Sequence, residues 1–142
     1  MRYVVVGLGS IGRRHLSNLR LLDPDGEFIA CRSSDATLPD EFSGVKVCVG
    51  LDAALAMRPD VVVVANPTDM HVVTATSALK EGCHVFIEKP IACVPQDAKD
   101  IQRMAASGDD KVMVGYCLRF HPAIVAMKRW LEEGKIGRLH SM

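Results

Sequence analysis

Short apolar runs rich in β-branched residues recur along the chain, separated by longer stretches of mixed polarity. Most of these runs are bounded by Gly, Pro, Asp or Asn, which favour turns. The runs predict strands at 2–6, 27–32, 45–49, 61–65, 83–87 and 111–115. The run at 61–65 has no polar residue on either face, which is typical of a strand buried inside a parallel sheet.

The stretches between these runs have helical spacing of apolar residues. They predict helices over 10–22, 51–57, 69–81, 96–107 and 121–133. The first helix has an apolar face made of Ile11, Leu16, Leu19 and Leu22. The polar segment 33–44, with its Pro and Gly residues, is interpreted as a loop containing one short helix. Strands and helices that alternate, with right-handed crossovers, predict an α/β fold with a doubly wound parallel sheet.

Composition narrows the class of protein. The 142 residues carry 17 basic and 17 acidic side chains, a balance that favours neither nucleic acid nor a membrane surface as partner. The apolar runs are too short to span a bilayer. The five cysteines form no C-x-x-C pair, which indicates reduced thiols in a cytoplasmic protein. No spacing of His, Cys, Asp or Glu suggests a metal site.

The strongest local motif follows the first predicted strand. Gly7, Gly9 and Gly12, with Ser10 and Ile11 between the last two, form a G-x-G-x-x-G turn that leads into a helix. In a dinucleotide-binding turn the first glycine permits the tight bend, the second lets the backbone approach a pyrophosphate, and the third allows close helix–strand packing. The helix N-terminus then supplies N–H groups to the phosphates.

Two further loops follow predicted strands and are therefore expected at the same edge of the sheet. Asn66, Pro67 and Thr68 follow the fourth strand, while Glu88 and Lys89 begin the Glu-Lys-Pro turn after the fifth. Because ligands of doubly wound sheets bind at the carboxyl ends of the strands, these loops and the glycine turn predict one shared site for a dinucleotide.

The end of the second predicted strand bears on the choice between NAD and NADP. An Asp or Glu about 20 residues beyond the glycines binds the ribose of NAD, but here the position is occupied by Arg32, followed by Ser33. A guanidinium beside hydroxyl groups attracts a 2′-phosphate, so the sequence favours NADP. The alternative is that Arg32 is a solvated cation and that Asp35 binds the ribose of NAD.

Lys89 is the candidate catalytic residue. At the end of a strand near the expected nicotinamide position, its ammonium can hold a substrate oxygen and relay a proton, with Glu88 steadying it. The alternative is a surface ion pair in a strand-ending turn. His71, in the first turn of a helix beside this site, either contacts a ligand there or has a structural role, which we favour; for His15 we expect packing. Arg13 or Arg14 is a further candidate for a phosphate contact.

These motifs share their order and spacing with a known family. They are 7–12 with His15, Asn66-Pro67-Thr68 with His71, the segment 84–90, the segment 115–120, and the segment 134–137. Together they resemble the glucose-fructose oxidoreductase / inositol dehydrogenase / MocA family along essentially the whole chain. The resemblance implies an NAD(P)-dependent oxidoreductase of sugars, inositols or sugar derivatives. It also implies cofactor contacts at Gly7, Gly9, Gly12, Pro67 and Glu88, and a catalytic or substrate-orienting role for Lys89.

The resemblance departs from the family pattern at two places. Cys117 stands where the family usually has Asn. The family also has a second, largely antiparallel domain that carries the substrate pocket, so residues 1–120 are predicted to form the dinucleotide-binding domain and 121–142 a bridging helix with the stub of the next strand. On this interpretation the chain by itself binds cofactor without effective turnover, and its apolar surface favours self-association. A non-catalytic dinucleotide-binding module, acting as a sensor or partner subunit, is the alternative.

Overall fold

A computed structural model describes residues 1–35, 38–106 and 111–141. Within them, six parallel strands form one sheet in the order β3-β2-β1-β4-β5-β6. The strands are β1 Arg2–Val6, β2 Glu27–Arg32, β3 Lys46–Val49, β4 Val61–Val64, β5 His84–Ile87 and β6 Val112–Val114. The strand order reverses between β1 and β4, and this is the switch point at which doubly wound sheets bind ligands. The predicted fold class is confirmed.

Five helices connect or follow the strands. They are α1 Ser10–Leu22, α2 Leu51–Ala56, α3 His71–Lys80, α4 Pro95–Ala106 and α5 Pro122–Glu132. Short 3-10 turns occupy Asp40–Phe42, Thr68–Met70 and Cys117–Phe120. The turn at 40–42 is the short helix expected in the 33–44 loop, and its Phe42 is buried. The helix expected at 96–107 ends at Ala106, and residues 107–110 lie outside the described part of the chain.

The sheet is covered on both faces, which explains why its central strands are apolar throughout. Alternate residues of β1 point to opposite sides: Tyr3 and Val5 pack in a cluster with Leu16 of α1. Val4 and Val6 pack in the other cluster, together with apolar residues of α2, α3 and α4. The central strands are therefore buried on both faces, and the loops after their carboxyl ends provide the polar groups of the candidate site.

Two helices differ from their predicted form. The helix expected at 69–81 begins as a 3-10 turn, because the Met70 N–H bonds to the Pro67 carbonyl at 2.9 Å before α3 starts at His71. Leu22, expected on the buried face of α1, is 81% exposed. Leu21 beside it is 79% exposed, so the last turn of α1 contributes little to the apolar contact with the sheet.

The C-terminal segment forms α5 as expected. His121 is the N-cap residue of α5, and its ring nitrogen accepts a hydrogen bond from the Ala123 N–H at 3.3 Å. Ile124, Met127 and Trp130 of this helix are each at least 41% exposed. Residues 138–141 have no strand structure, and Met142 lies outside the described part, so the predicted strand stub at 138–142 stays a prediction.

Candidate functional site

The glycine turn after β1 is built as its spacing predicts. Gly7 has a φ of +89°, and a Cβ there would lie 2.7 Å from the Ala65 carbonyl oxygen, so only glycine fits. A Cβ on Gly12 would lie 3.0 Å from the Gly7 carbonyl carbon and closer still to its oxygen. Gly12 is therefore required for α1 to pack against the turn. Gly9 differs from both, because a Cβ there would meet no atom within 4 Å.

The open space at Gly9 coincides with the N-terminus of α1. Gly9 is the N-cap residue and provides no side-chain cap, and the first intrahelical hydrogen bond runs from the Arg13 N–H to the Gly9 carbonyl at 3.0 Å. The N–H groups of the first turn therefore lack intrahelical acceptors, and they lie at the positive end of the helix dipole. Ser10 is exposed beside them. An anionic phosphate group fits this position.

A cleft of about 570 Å³ runs from the glycine turn along the ends of β1 and β2. Its lining includes the predicted site residues Gly7, Arg32, Ser33, Asn66 and Pro67. Apolar side chains of Leu51, Met70 and Val73 form much of the remaining wall. The cleft therefore combines a mainly apolar surface with a cation and hydroxyl group at one end, as a site for a planar base and a phosphorylated ribose requires.

The cleft also contains a carboxylate that sequence reasoning did not assign to the site. Asp52, in the first turn of α2, lines the cleft with Arg32. Gly50 brings α2 to this position, since its N–H donates to the Arg32 carbonyl at 3.1 Å and its φ is +88°. Asp35, the alternative ribose-binding residue, instead lines a separate depression with Leu38. The only sequence signal for Asp52 was its place directly after a predicted strand and glycine.

A second pocket, of about 240 Å³, adjoins the cleft across the loop after β4. It is lined by the predicted residues Ile11, Asn66, Pro67, Thr68, His71, Glu88 and Lys89, together with Ala65. Asn66 and Pro67 line both spaces. The three loops predicted to converge therefore do meet, and Lys89 lies exposed at the mouth of this pocket.

His71 and Asn66 hold the loops of this pocket together. His71 is 2% exposed, and its Nδ1 and Nε2 lie 2.9 Å from the Pro90 carbonyl oxygen and 3.0 Å from the Asn66 carbonyl oxygen. Both ring nitrogens thus face protein carbonyl groups, which supports the structural role. The Asn66 side chain donates to Thr74 Oγ1 at 2.8 Å, whereas its buried Oδ1 has no partner among the described residues. An unpaired buried acceptor of this kind suits a ligand that supplies a donor.

Glu88 makes contacts other than the expected one. Its Oε1 lies 2.6 Å from His15 Nε2, and its Oε2 accepts a hydrogen bond from the Lys89 backbone N–H at 3.1 Å. The carboxylate thus steadies the main chain of Lys89, not its ammonium. The rings of His15 and Phe86 pack edge to face, with centroids 5.0 Å apart. His15 therefore has the packing contact that we expected and, in addition, the contact with Glu88.

Of the two arginines considered as phosphate ligands, Arg13 donates from Nε to the Leu8 carbonyl at 3.3 Å. Its side chain therefore folds back along the glycine turn. Arg14 is exposed.

In the described part of the chain, no helix is both long enough and apolar enough to cross a membrane.

Comparison with known proteins agrees with this geometry. Residues 1–116 match the model of the GFO_IDH_MocA family, described as an oxidoreductase family with an NAD-binding Rossmann fold. Inositol 2-dehydrogenase 1 of Saccharopolyspora erythraea is 32% identical over an alignment that covers 96% of this chain and 43% of that protein. The chain thus spans less than half the length of this curated relative.

Two solved structures illustrate the likeness. Scyllo-inositol dehydrogenase of Lactobacillus casei, with bound NAD(H) and scyllo-inositol, matches with a TM-score of 0.84 at 27% identity. The match covers 96% of this chain and 42% of that one. The WlbA dehydrogenase of Bordetella pertussis, in complex with NADH and UDP-GlcNAcA, matches with a TM-score of 0.86 at 25% identity, covering 97% and 41%.

The glycine turn, the two adjoining pockets and the family match over residues 1–116 lead to one conclusion. The chain belongs to the glucose-fructose oxidoreductase / inositol dehydrogenase / MocA family, and it corresponds to the NAD-binding Rossmann domain of that family.

Proposed function

We propose that this chain binds a nicotinamide dinucleotide across the two adjoining pockets and serves as the cofactor domain of an oxidoreductase. The observation that carries the proposal is the meeting of the glycine turn, the Asn66–Pro67 loop and the Glu88–Lys89 turn around two adjoining pockets, which share Asn66 and Pro67 in their lining. The pyrophosphate would lie against Gly9 and the start of α1, where nothing fills the position of a Cβ. The adenosine half would occupy the larger cleft and the nicotinamide half the smaller pocket.

We further propose a preference for NADP over NAD. Arg32 and Ser33 at the end of β2 supply a cation and a hydroxyl group to the cleft. Their charge complements a 2′-phosphate. Asp52 in the same cleft is the competing influence, because a carboxylate accepts hydrogen bonds from ribose hydroxyls and repels a phosphate. The preference thus depends on the balance between Arg32 and Asp52.

The proposed reaction is reversible hydride transfer between the nicotinamide and a sugar, inositol or sugar derivative. The nicotinamide supplies the hydride acceptor when bound. Lys89, exposed at the smaller pocket, is the catalytic residue in this proposal. In the reductive direction its ammonium would donate a proton to the substrate oxygen as the carbonyl carbon receives the hydride, and in the oxidative direction its neutral amine would take the proton of the carbinol as the hydride leaves for the nicotinamide. The substrate class is supported by the inositol and UDP-sugar ligands of the relatives compared above.

Calorimetric titration of the chain with NADH and NADPH tests the cofactor proposal. We expect both to bind, NADPH about tenfold more tightly, with the preference reversed in Arg32→Asp. Asp52→Asn is the matched variant on the opposite charge and should increase the preference for NADPH. Equal affinities that do not respond to either variant would refute the Arg32 assignment. Binding of neither dinucleotide would refute the cofactor proposal.

Turnover is tested in a chain of the relatives' length, with Lys89→Ala against Lys89→Arg. We expect Lys89→Ala to lower kcat by about a hundredfold or more while dinucleotide affinity stays unchanged. Lys89→Arg keeps the positive charge and separates anchoring from proton transfer, because arginine does not release its proton. Absence of turnover with polyols and sugar derivatives, despite cofactor binding, would favour the non-catalytic dinucleotide-binding module.

A further inference from the structure

We propose that His15 is a positioning residue that acts through Glu88 to fix the main chain of Lys89. This inference deepens the proposed function and rests on it for its catalytic meaning. His15 belongs to α1 and Glu88 follows β5, so 73 positions of sequence separate them. The three residues form one connected chain from the helix of the glycine turn to the Glu-Lys-Pro turn.

The first link is a short hydrogen bond between largely buried groups. His15 Nε2 lies 2.6 Å from Glu88 Oε1, and the two side chains are only 19% and 12% exposed. A carboxylate with so little access to water is costly unless it receives hydrogen bonds. His15 is the side chain that provides one, so its loss would leave Glu88 free to turn toward solvent.

The second link runs from the same carboxylate to the backbone. Glu88 Oε2 accepts from the Lys89 N–H at 3.1 Å. Because a carboxylate group is planar and rigid, holding Oε1 against His15 also fixes the direction in which Oε2 faces. The position of the imidazole is thereby transmitted to the peptide from which the Lys89 side chain departs.

The surroundings leave this arrangement little freedom. The Phe86 ring packs against the edge of His15 at 5.0 Å between centroids. A Cβ on Gly115 would lie 3.3 Å from Glu88 Oε1 and 3.1 Å from Phe86 Cζ, so glycine at this position makes room for the pair. These four residues line a small, mainly apolar pocket of about 180 Å³ behind the carboxylate.

A fixed main chain matters because the Lys89 side chain is exposed and long. An ammonium on four rotatable carbons reaches many positions, and only a defined departure point confines it to the mouth of the 240 Å³ pocket. His15 therefore restricts the positions open to the Lys89 ammonium, although it does not contact that group.

The test uses the 142-residue chain labelled with ¹⁵N, and its first measurement is the amide resonance of Lys89. An amide bonded to a carboxylate resonates downfield, so we expect an upfield shift in His15→Ala and in Glu88→Gln. His15→Gln places an amide donor near Nε2 and should restore the signal. Ser17→Ala, at an exposed position on α1, is the control and should leave the signal unchanged.

The second measurement is NADH affinity. We expect the dissociation constant to rise about three- to tenfold in His15→Ala and to recover in His15→Gln. The reason is that Glu88 itself lines the smaller pocket and would turn out of it when its partner is lost, whereas the Lys89 side chain is not needed for dinucleotide affinity. An unchanged Lys89 amide in both His15→Ala and Glu88→Gln would overturn the proposal, as would a shift that His15→Gln leaves in place. If the wild-type chain binds no dinucleotide, the proposed function fails, but the amide measurement still decides whether His15 positions Lys89.

Discussion

A side chain at Gly12 would collide with the backbone of Gly7, since a Cβ there would lie 3.0 Å from the Gly7 carbonyl carbon and nearer still to its oxygen. Gly7 and Gly12 are thus in contact with each other, and the absence of a side chain at Gly12 allows α1 to pack against the turn. Gly9 stands apart from them, because its missing Cβ would point into open space. One motif therefore contains two positions at which the fold requires glycine and one at which it leaves open space.

We expect Gly12→Ala to destabilise the chain by about 1–3 kcal/mol, because α1 must move away from the turn. Gly9→Ala should leave the thermal midpoint unchanged but weaken dinucleotide binding by about tenfold, because its methyl group fills the phosphate position. Thermal unfolding followed by circular dichroism measures the first effect and calorimetry the second. Equal loss of stability in both variants would contradict this division of roles.

The apolar face of α1 offers a matched pair of leucines. Leu16 is fully buried between α1 and the sheet, whereas Leu22 is 81% exposed. We expect Leu16→Ala to cost about 3 kcal/mol of unfolding free energy through lost burial and the cavity it leaves. Leu22→Ala should change it by about 0.5 kcal/mol or less. Urea denaturation of the two variants gives both values, and a large loss in Leu22→Ala would mean that the last turn is covered in solution.

Glu27 predicts a pH-dependent contribution to stability. Hydrogen bonds from Lys46 and then Arg2 lower the pKa of this carboxyl in the folded chain, and the Arg2 Nε–Oε2 distance is 2.7 Å. A lowered folded-state pKa stabilises the chain above the unfolded value, and that contribution is lost as the pH falls through the folded one. We expect the melting temperature of Glu27→Gln to be about 2 °C below wild type near pH 7.

The difference should diminish between neutral and acid pH, and it should disappear once the pH lies below the lowered folded-state pKa of Glu27. Glu41→Gln, at an exposed position in the 3-10 turn, is the control and should show no such difference between the two pH values. A Glu27→Gln deficit that persists in acid would assign the effect to packing of the side chain.

The cysteines should divide into two reactivity classes. Cys31, Cys48 and Cys83 are buried, while Cys93 and Cys117 are exposed. Burial, reinforced by the neighbouring Cys48, raises the pKa of the Cys31 thiol to about 12, and burial also raises the pKa of Cys48. Since the thiolate is the reactive form, a disulfide reagent should modify two thiols rapidly in the folded chain and all five after denaturation.

The double variant Cys93→Ser/Cys117→Ser should abolish the rapid phase of that reaction. Cys31 also lines the larger cleft, so its slow modification should become slower still when dinucleotide is bound. Rapid reaction of a third thiol in the folded chain would contradict the burial of Cys31, Cys48 and Cys83.

Local sequence determined most of the fold. The apolar runs predict all six strands to within one or two residues of their observed bounds. They do so because strands of a parallel sheet are covered on both faces and therefore consist of nearly continuous apolar residues. The glycine spacing determined the turn after β1, since Gly12 avoids the nearby Gly7 carbonyl group and Gly7 avoids the backbone that directly follows β4. The Glu-Lys-Pro turn was placed at the sheet edge for the same reason: it directly follows a strand.

The tertiary structure alone decided which distant side chains meet. Asp52 reaches the same cleft as Arg32 because parallel pairing of β2 with β3 brings the start of α2 to the end of β2. His15 meets Glu88 because α1 packs over β1 and β4, and β4 pairs in parallel with β5, which ends directly before Glu88. This follows from the strand order and from no local pattern. Periodicity states which face of an element is buried, whereas the crossovers between strands decide what lies against that face.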